Sequence, residues 1–489
     1  MQPVARREFA PGADLYILPA PRFGALHLLV AFRQVLDPER VTRGALLPRV
    51  LRRGTRTWPD LPSLARHLDG LYGASVGAAA AKMGDHQTVE LTYSCPGPEV
   101  LKEVLARRAA AAPSAGRGAL DGPSPEGLLV HGAELLAEMF SRPAGPGGRG
   151  GSPKASPGGK EGLDEDYVRE EKAGLGRDLR ALADDRTSWA HHRCVEEMCR
   201  GEPYALHSLG RLPDLEGITG ESLDAFRREL LARSPLSAYV VGPVDDRTVD
   251  RVSEALLPLA AGRRADDGAG SASLPASACH PLPSREPSRE REVHEEADVE
   301  QARLVVGLAT GTTLTDPAHP AQVLYNGLLG GFVHGRLFRR MREEAGLAYY
   351  VWSRVVALKG LIIISCGIRE EDYGRALDII RREVDSLARG RFSDREFGAT
   401  RNSALAVARA RLDSPSALVY GHLEHLAAGQ VPDGIAPWRE LEGVTAADVR
   451  DFARRPVIDT VYLLARGRRR RRPPGGGGSR AGGPCRAAG

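Results

Sequence analysis

A chain of 489 residues with 42% hydrophobic and 27% charged side chains is too long for one ordinary core and too polar to live in a bilayer, so two or more globular domains are expected. The net charge of +4 is small, and much of it falls in the terminal run of Arg466 and Arg468 to Arg472, which leaves a near-neutral body and speaks against a specific nucleic-acid reader. No apolar run approaches the roughly 20 residues that span a membrane, and Met1 to Glu8 lack the apolar stretch of a secretory signal.

Phe23 to Gln34 alternates apolar residues and reads as a strand. Arg43 to Arg53 is helix-like and is broken by Gly54-Thr55. Pro59 to Leu71 carries Leu61, Leu64, Ala65, Leu68 and Leu71 at helical spacing. Gly73 to Val76 opens a strand, Thr88 to Ser94 is another, and Val100 to Ala112 is helical. The stretches 113–127 and 142–162 are rich in Gly, Pro and Ser and read as inserted loops. Tyr167 to Glu197 predicts one long charged helix, with Asp184-Asp185 and Glu196-Glu197 as solvated charges. Ser237 to Val241 is a strand.

Residues 262–292 are low in complexity and read as an interdomain linker. The second half opens with strand Ala302 to Leu308 and closes with strand Thr460 to Ala465. Between them, Gly330-Gly331 precedes a cationic helical run with Leu337, Phe338 and Met341 on one face, and Gly346 stops it. Leu347 to Trp352, a turn at Lys359-Gly360 and the apolar run Leu361 to Ser365 form a strand pair. The tail, 468–489, is basic and Gly/Pro-rich and reads as disordered.

The halves repeat. Gly217-Ile218-Thr219 with Ser222 and Phe226 matches Gly443-Val444-Thr445 with Asp448 and Phe452, each pair 226 residues apart. Each Thr stands where a helix N-cap would satisfy free backbone N–H groups. Leu71-Tyr72-Gly73 to Ser94-Cys95 likewise echoes Leu347-Ala348-Tyr349 to Ser365-Cys366. The expected fold is therefore α+β: two homologous α/β domains, 1–261 and 293–467, joined by the linker. The six cysteines, Cys95, Cys194, Cys199, Cys279, Cys366 and Cys485, show no metal-site spacing and read as reduced thiols of a cytoplasmic protein.

The words Asn326 to Gly331, Arg336-Leu337-Phe338 and Arg342 to Tyr349 closely resemble the C-terminal domain of the pitrilysin/insulinase-type (inverzincin) metallopeptidases. The resemblance implies two insulinase-like domains. It also implies that Arg342 and Tyr349, matching an Arg and a Tyr of that family seven residues apart, hold substrate or complete a partner's site. Active members carry H-x-x-E-H on a helix of the first domain, two zinc ligands and a general base. Counted back from Gly54-Thr55, that motif falls on Ala45-Leu46-Leu47-Pro48-Arg49, and the third ligand falls at about Arg177, after Glu171-Lys172. Ala lacks a donor atom, Pro cannot take a proton, and Arg repels a cation. No metal and no cofactor are expected, and catalytic residues are none. The chain thus resembles a catalytically silent bacterial member, a pseudoenzyme.

Silent members commonly form the inactive subunit of a heterodimer with an active zinc-dependent homologue, closing on a peptide or protein substrate. A bacterial subfamily with similar words at Leu46-Leu47-Pro48, Leu71 to Ala74 and Met198-Cys199 is associated with the 5-aminopentanol modification of elongation factor P. Two other readings stand beside this one. The chain could be a structural or assembly protein like the core subunits of respiratory complexes that share the fold, or an active hydrolase with rebuilt ligands. His422-Leu423-Glu424-His425 matches neither zinc motif and reads as helix surface or core. His191-His192 read as structural, and His334 sits in the Gly-rich turn where a peptide could pass. No nucleophile elbow or phosphate loop occurs.

Overall fold

The computed structural model describes residues 2–111, 125–146, 162–261, 263, 290–432, 434–435 and 437–467. Most of the two inserts, nearly all of the linker, the tail, Cys279 and Cys485 lie outside the described residues. One sheet has six strands in the order Ala5–Ala10, Ala13–Pro19, Leu236–Gly242, Ala25–Val35, His86–Pro96, Ser75–Met83. A second has five, in the order Arg291–Ala297, Val457–Arg466, Ala302–Ala309, Leu361–Ile368, Ala348–Val356, and a third pairs Gln2–Pro3 with Gly434–Ile435. From the hairpin edge inward the two orders agree: an outer hairpin, the opening strand, the closing strand, then a strand parallel to the closing one. The duplication suggested by the repeated words is thus a duplication of topology.

The matched threonines do the same work in both halves. Thr219 Oγ1 accepts from the Ser222 amide at 3.2 Å and Thr445 Oγ1 from the Asp448 amide at 3.3 Å. In return the side chains of Ser222 and Asp448 accept from the threonine amides at 2.9 and 2.7 Å. These are capping boxes, each starting a helix that feeds the closing strand. Gly360 has φ +63°, and a methyl group there would sit 3.1 Å from the Thr312 backbone nitrogen, so the hairpin turn requires glycine twice over.

Leu361–Ile368 is apolar apart from Ser365 because both of its faces are covered. Ile362, Ile364, Cys366 and Ile368 join the core beneath the second half's own helices, while Leu361 and Ile363 meet Ala190, Cys194 and Met198. Those last residues belong to the helix Arg186–Met198 of the first half. The exchange is reciprocal. Helix Pro415–Ala427 of the second half lays Leu418, Val419, Leu423 and Leu426 on Tyr16, Leu29, Tyr239 and Val241 of the first sheet. Each half therefore covers the other's sheet, and the two cannot part without exposing both faces.

The structure corrects several sequence expectations. The long helix over Tyr167 to Glu197 is two helices, Glu165–Asp184 and Arg186–Met198. They meet at Asp185, whose ψ of 89° breaks the helix and whose carboxylate accepts from the Thr187 and Ser188 amides. Glu197 is not a solvated charge: it is buried and paired with Arg200 and Arg291, the latter from the second half. The second half begins ahead of Ala302, with the strand Arg291–Ala297. The cationic run is not an ordinary helix, because Gly327–Gly331 and Phe338–Glu344 both adopt π-helical turns. No helix among the described residues is long and apolar enough to cross a membrane.

Candidate functional site

The helix Val41–Leu51 packs on the outer hairpin Ser75–Met83 and His86–Pro96 and against the helix Glu165–Asp184. Ala45, Leu46, Leu47, Val50 and Leu51 face the core. Pro48 sits inside this helix and is buried, so the Gly44 carbonyl lacks its usual i+4 amide partner. Gly44 itself has no room for a side chain, because a methyl group there would collide with the amides of Gln34 and Gln87. Gln34 donates to Gln87 at 2.8 Å, and Gln87 donates to the carbonyls of Val41 and Ser208. This buried amide pair anchors the start of the helix.

The end of the helix is electrostatic. Arg49 forms an ion pair with Asp178, and Arg53 reaches Glu171 at 2.6 Å and Glu170 at 3.5 Å. All three acids lie on the helix Glu165–Asp184. Arg177 of that helix is exposed and has no ion pair among the described residues. A methyl group on Gly174 would lie 3.7 Å from the Arg49 guanidinium, 3.8 Å from that of Arg177 and 3.7 Å from the Glu171 carboxylate. Ala45, Pro48, Arg49 and Arg177 thus sit on two packed helices, and Arg49 and Arg177 converge over one glycine. The donor set does not fit a zinc ion: two guanidiniums, a methyl and a proline ring offer no lone pair. Among the described residues no group of three or more His, Cys, Asp or Glu is placed to hold a metal.

Arg342 and Tyr349 lie at the opposite end of the chain's own logic. The Phe338–Glu344 segment buries Met341 and leaves Arg342 exposed, its guanidinium 5.1 Å from the centre of the Phe338 ring. Its neighbours are engaged: Arg340 with Glu344 and Glu383, Arg339 with Glu344 and Glu396. Arg336 is the hub beneath, bonded to Glu396 at 3.0 Å, Glu383 at 3.3 Å and Ser386 at 3.1 Å. Arg342 alone of this run has no acid partner among the described residues. Tyr349 is 56% exposed and is the extra residue of a bulge, since Ala348 pairs with Ile368 and Tyr350 with Gly367. A bulge re-aims a side chain out of the pleat, and here it turns a phenol out to solvent.

The other histidines find structural places. His422 is fully buried and its Nδ1 lies 2.9 Å from Tyr239 Oη, across the contact between the halves. His191 turns toward Trp352, and His192 toward His207. His334 is exposed, stacks on Phe332 and lies 3.3 Å from Thr400 Oγ1. Two features were missed from sequence. Asp178 is one, since its role appears only once the helices pack. The other is the outer edge of the strand Ser75–Met83: the strand start at Gly73 to Val76 was legible, but not that its far side has no strand partner among the described residues, beside the helix Val41–Leu51. Its run Gly77 to Ala81 is the signal that could have been read: small side chains leave a strand's backbone approachable.

Comparison with known proteins agrees with this picture. A family model described as the Peptidase M16 inactive domain matches residues 217–404. The chain is 31% identical over 464 residues to the "Probable inactive metalloprotease YmfF" of Bacillus subtilis, covering 93% of this chain and 96% of that one. A crystal structure of a conserved protein from Enterococcus faecalis superposes with a TM-score of 0.77 at 20% identity, over 95% of this chain and 99% of the other. A peptidase M16 inactive domain from Pseudomonas fluorescens gives 0.66 at 17% identity, over 95% and 98%. With its duplicated sheets, and with a first-domain helix that presents no zinc donor, the chain belongs to the M16 peptidase family, among its inactive metalloprotease homologues.

Proposed function

We propose that the chain is the non-catalytic subunit of a peptidase, pairing with an active zinc-dependent homologue and contributing substrate binding. One contrast carries this reading. The helix that would hold zinc is closed by Arg49 and Asp178, whereas Arg342 and Tyr349 stay exposed on a braced scaffold, Arg342 with no acid partner among the described residues. Arg can hydrogen-bond a peptide carbonyl or carboxylate, and Tyr can donate to the oxyanion that develops at a scissile carbonyl. The open edge of Ser75–Met83 supports a peptide-binding role, because an extended peptide can add to it as a further strand. The four described cysteines are buried and free, as suits a reducing cytoplasm. The link to elongation factor P modification rests on the subfamily words around Leu46-Leu47-Pro48 and belongs to the same proposal.

The test is turnover on mixing. The active homologue from the same source should gain peptidase activity when this chain is added in equal amount. Arg342→Ala or Tyr349→Ala should remove roughly tenfold or more of that gain while leaving the chain's melting temperature in place, since both side chains are exposed. No complex and no gain would leave the proposal without support.

A further inference from the structure

We infer that Tyr72 is a peptide-binding residue of the first half, the counterpart of Tyr349 in the second. The inference rests on the peptide-binding reading above and adds a contact that reading lacks: a phenol at the end of the open strand edge, for the backbone of an extended peptide. It starts from the backbone. Tyr72 has φ +57° and is alone among the non-glycine described residues in the left-handed region. A bulky side chain there costs free energy that glycine would not. The neighbours hold it in place, since Leu71 and Ala74 are buried and the Ala74 amide donates to the Leu71 carbonyl at 3.2 Å. Strain held in this way clusters at ligand clamps and active sites.

The side chain suits such a contact. Its ring is partly buried against the first core, while its hydroxyl is not buried and makes no hydrogen bond among the described residues. A tyrosine of this kind keeps its apolar body packed and its polar tip in water. The duplication points the same way. Ser75–Met83 and Ala348–Val356 are each the outermost strand of a sheet. Each has a tyrosine at its start in irregular backbone: Tyr349 in a bulge, and Tyr72, three residues ahead of Ser75, in a left-handed turn. The outer side of Ser75–Met83 has no strand partner among the described residues. A peptide paired along it runs out of ladder partners past Ser75, and at about 3.3 Å per residue it reaches the level of Tyr72 within a few residues. The phenol can donate to a peptide carbonyl left unpaired there.

The experiment uses the full chain and a fluorescent, end-blocked peptide of about ten residues, rich in Thr and Val so that it favours an extended strand. Tyr72→Phe keeps the ring and its packing and removes only the hydroxyl, so the melting temperature should not move. Binding of the peptide should weaken about fivefold, as the loss of one hydrogen bond predicts. Unchanged binding by Tyr72→Phe, or no binding of the peptide by the unaltered chain, overturns the inference. A loss of binding that comes with a fall in melting temperature assigns Tyr72 to the core and overturns it as well. Mixing with the active homologue separates the inference from the reading on which it rests. A gain in turnover that Tyr349→Phe reduces and Tyr72→Phe keeps overturns the inference and leaves the proposed function standing. Weaker peptide binding by Tyr72→Phe, in a chain that adds nothing to the homologue, supports the inference and counts against the proposed function.

Discussion

Lowering the pH from 7 to 5 should cost this protein a large part of its stability, through histidines rather than carboxylates. Burial pushes four imidazoles far below the usual histidine value: His86, His207 and His422 to about 4, and His192 to about 3. Positive neighbours add to the effect, Arg33 at His86, and Lys82 at both His192 and His207. The folded chain keeps these rings neutral, while the unfolded chain protonates them below about pH 6.5. The unfolded state then binds more protons, so stability is complete above pH 6.5 and is lost as the pH falls toward 4. Each ring removes about 1–2 kcal/mol by pH 5, against a total of about 5–15 kcal/mol for a typical domain.

Two buried carboxyls pull the other way. Burial raises Glu90 and Glu424, so acid relieves their penalty, but two groups do not offset four. Melting temperature or calorimetric stability measured between pH 7 and 5 checks the point. His192→Gln is the informative variant, because His192 makes ring contacts and no side-chain hydrogen bond among the described residues, and it should remove about one proton from the slope. A stability that stays flat across this range would contradict the burial of these rings.

The second large effect belongs to Lys359. It sits in the turn of the second half's outer hairpin, and its side chain is only 1% exposed. Its ammonium lies 3.1 Å from Asp85, in the matching hairpin turn of the first half, and 2.8 Å from Glu202, in the loop after the exchanged helix Arg186–Met198. Two equivalent turns of the duplication thus meet with opposite charges. Burial alone would lower the Lys359 pKa, but the two carboxylates raise it, so the charge is held across the working range. Lys359→Met should destabilise the chain by about 3 kcal/mol, because removing one member of a buried pair strands the others. Adding Asp85→Asn to Lys359→Met should recover part of the loss. Chemical denaturation of the single and double variants reads this directly, and a Lys359→Met chain as stable as the parent would show that the turns do not lock the halves.

Several of these features could be read in the sequence, for local reasons. Thr219 and Thr445 with their partners three residues on signal helix starts, and Gly346 and Gly360 mark places where the chain needs a left-handed residue. The run Leu361 to Ser365 announces a strand covered on both faces. What could not be read is what depends on the other half of the chain. The apolar faces of Arg186–Met198 and Pro415–Ala427 show that each is buried, not that each lies on the opposite sheet. Glu197 looks like any helix-surface acid until Arg291 arrives from across the contact. Asp185 lies among charged residues whose composition favours one continuous helix, and only its cap bonds reveal the break. The missing donors at Ala45, Pro48 and Arg49 are plain in the letters, but the pairing of Arg49 with Asp178 and its convergence with Arg177 required the packing of two helices.

The most direct test of the central claim is the zinc content and peptidase activity of the purified full chain by itself. The arrangement of Ala45, Pro48, Arg49 and Arg177 predicts no stoichiometric zinc after exposure to the metal and no cleavage of peptide substrates without a partner. One zinc per chain with hydrolysis by the chain alone would contradict it, because ligands and a base would then have to lie elsewhere in the fold.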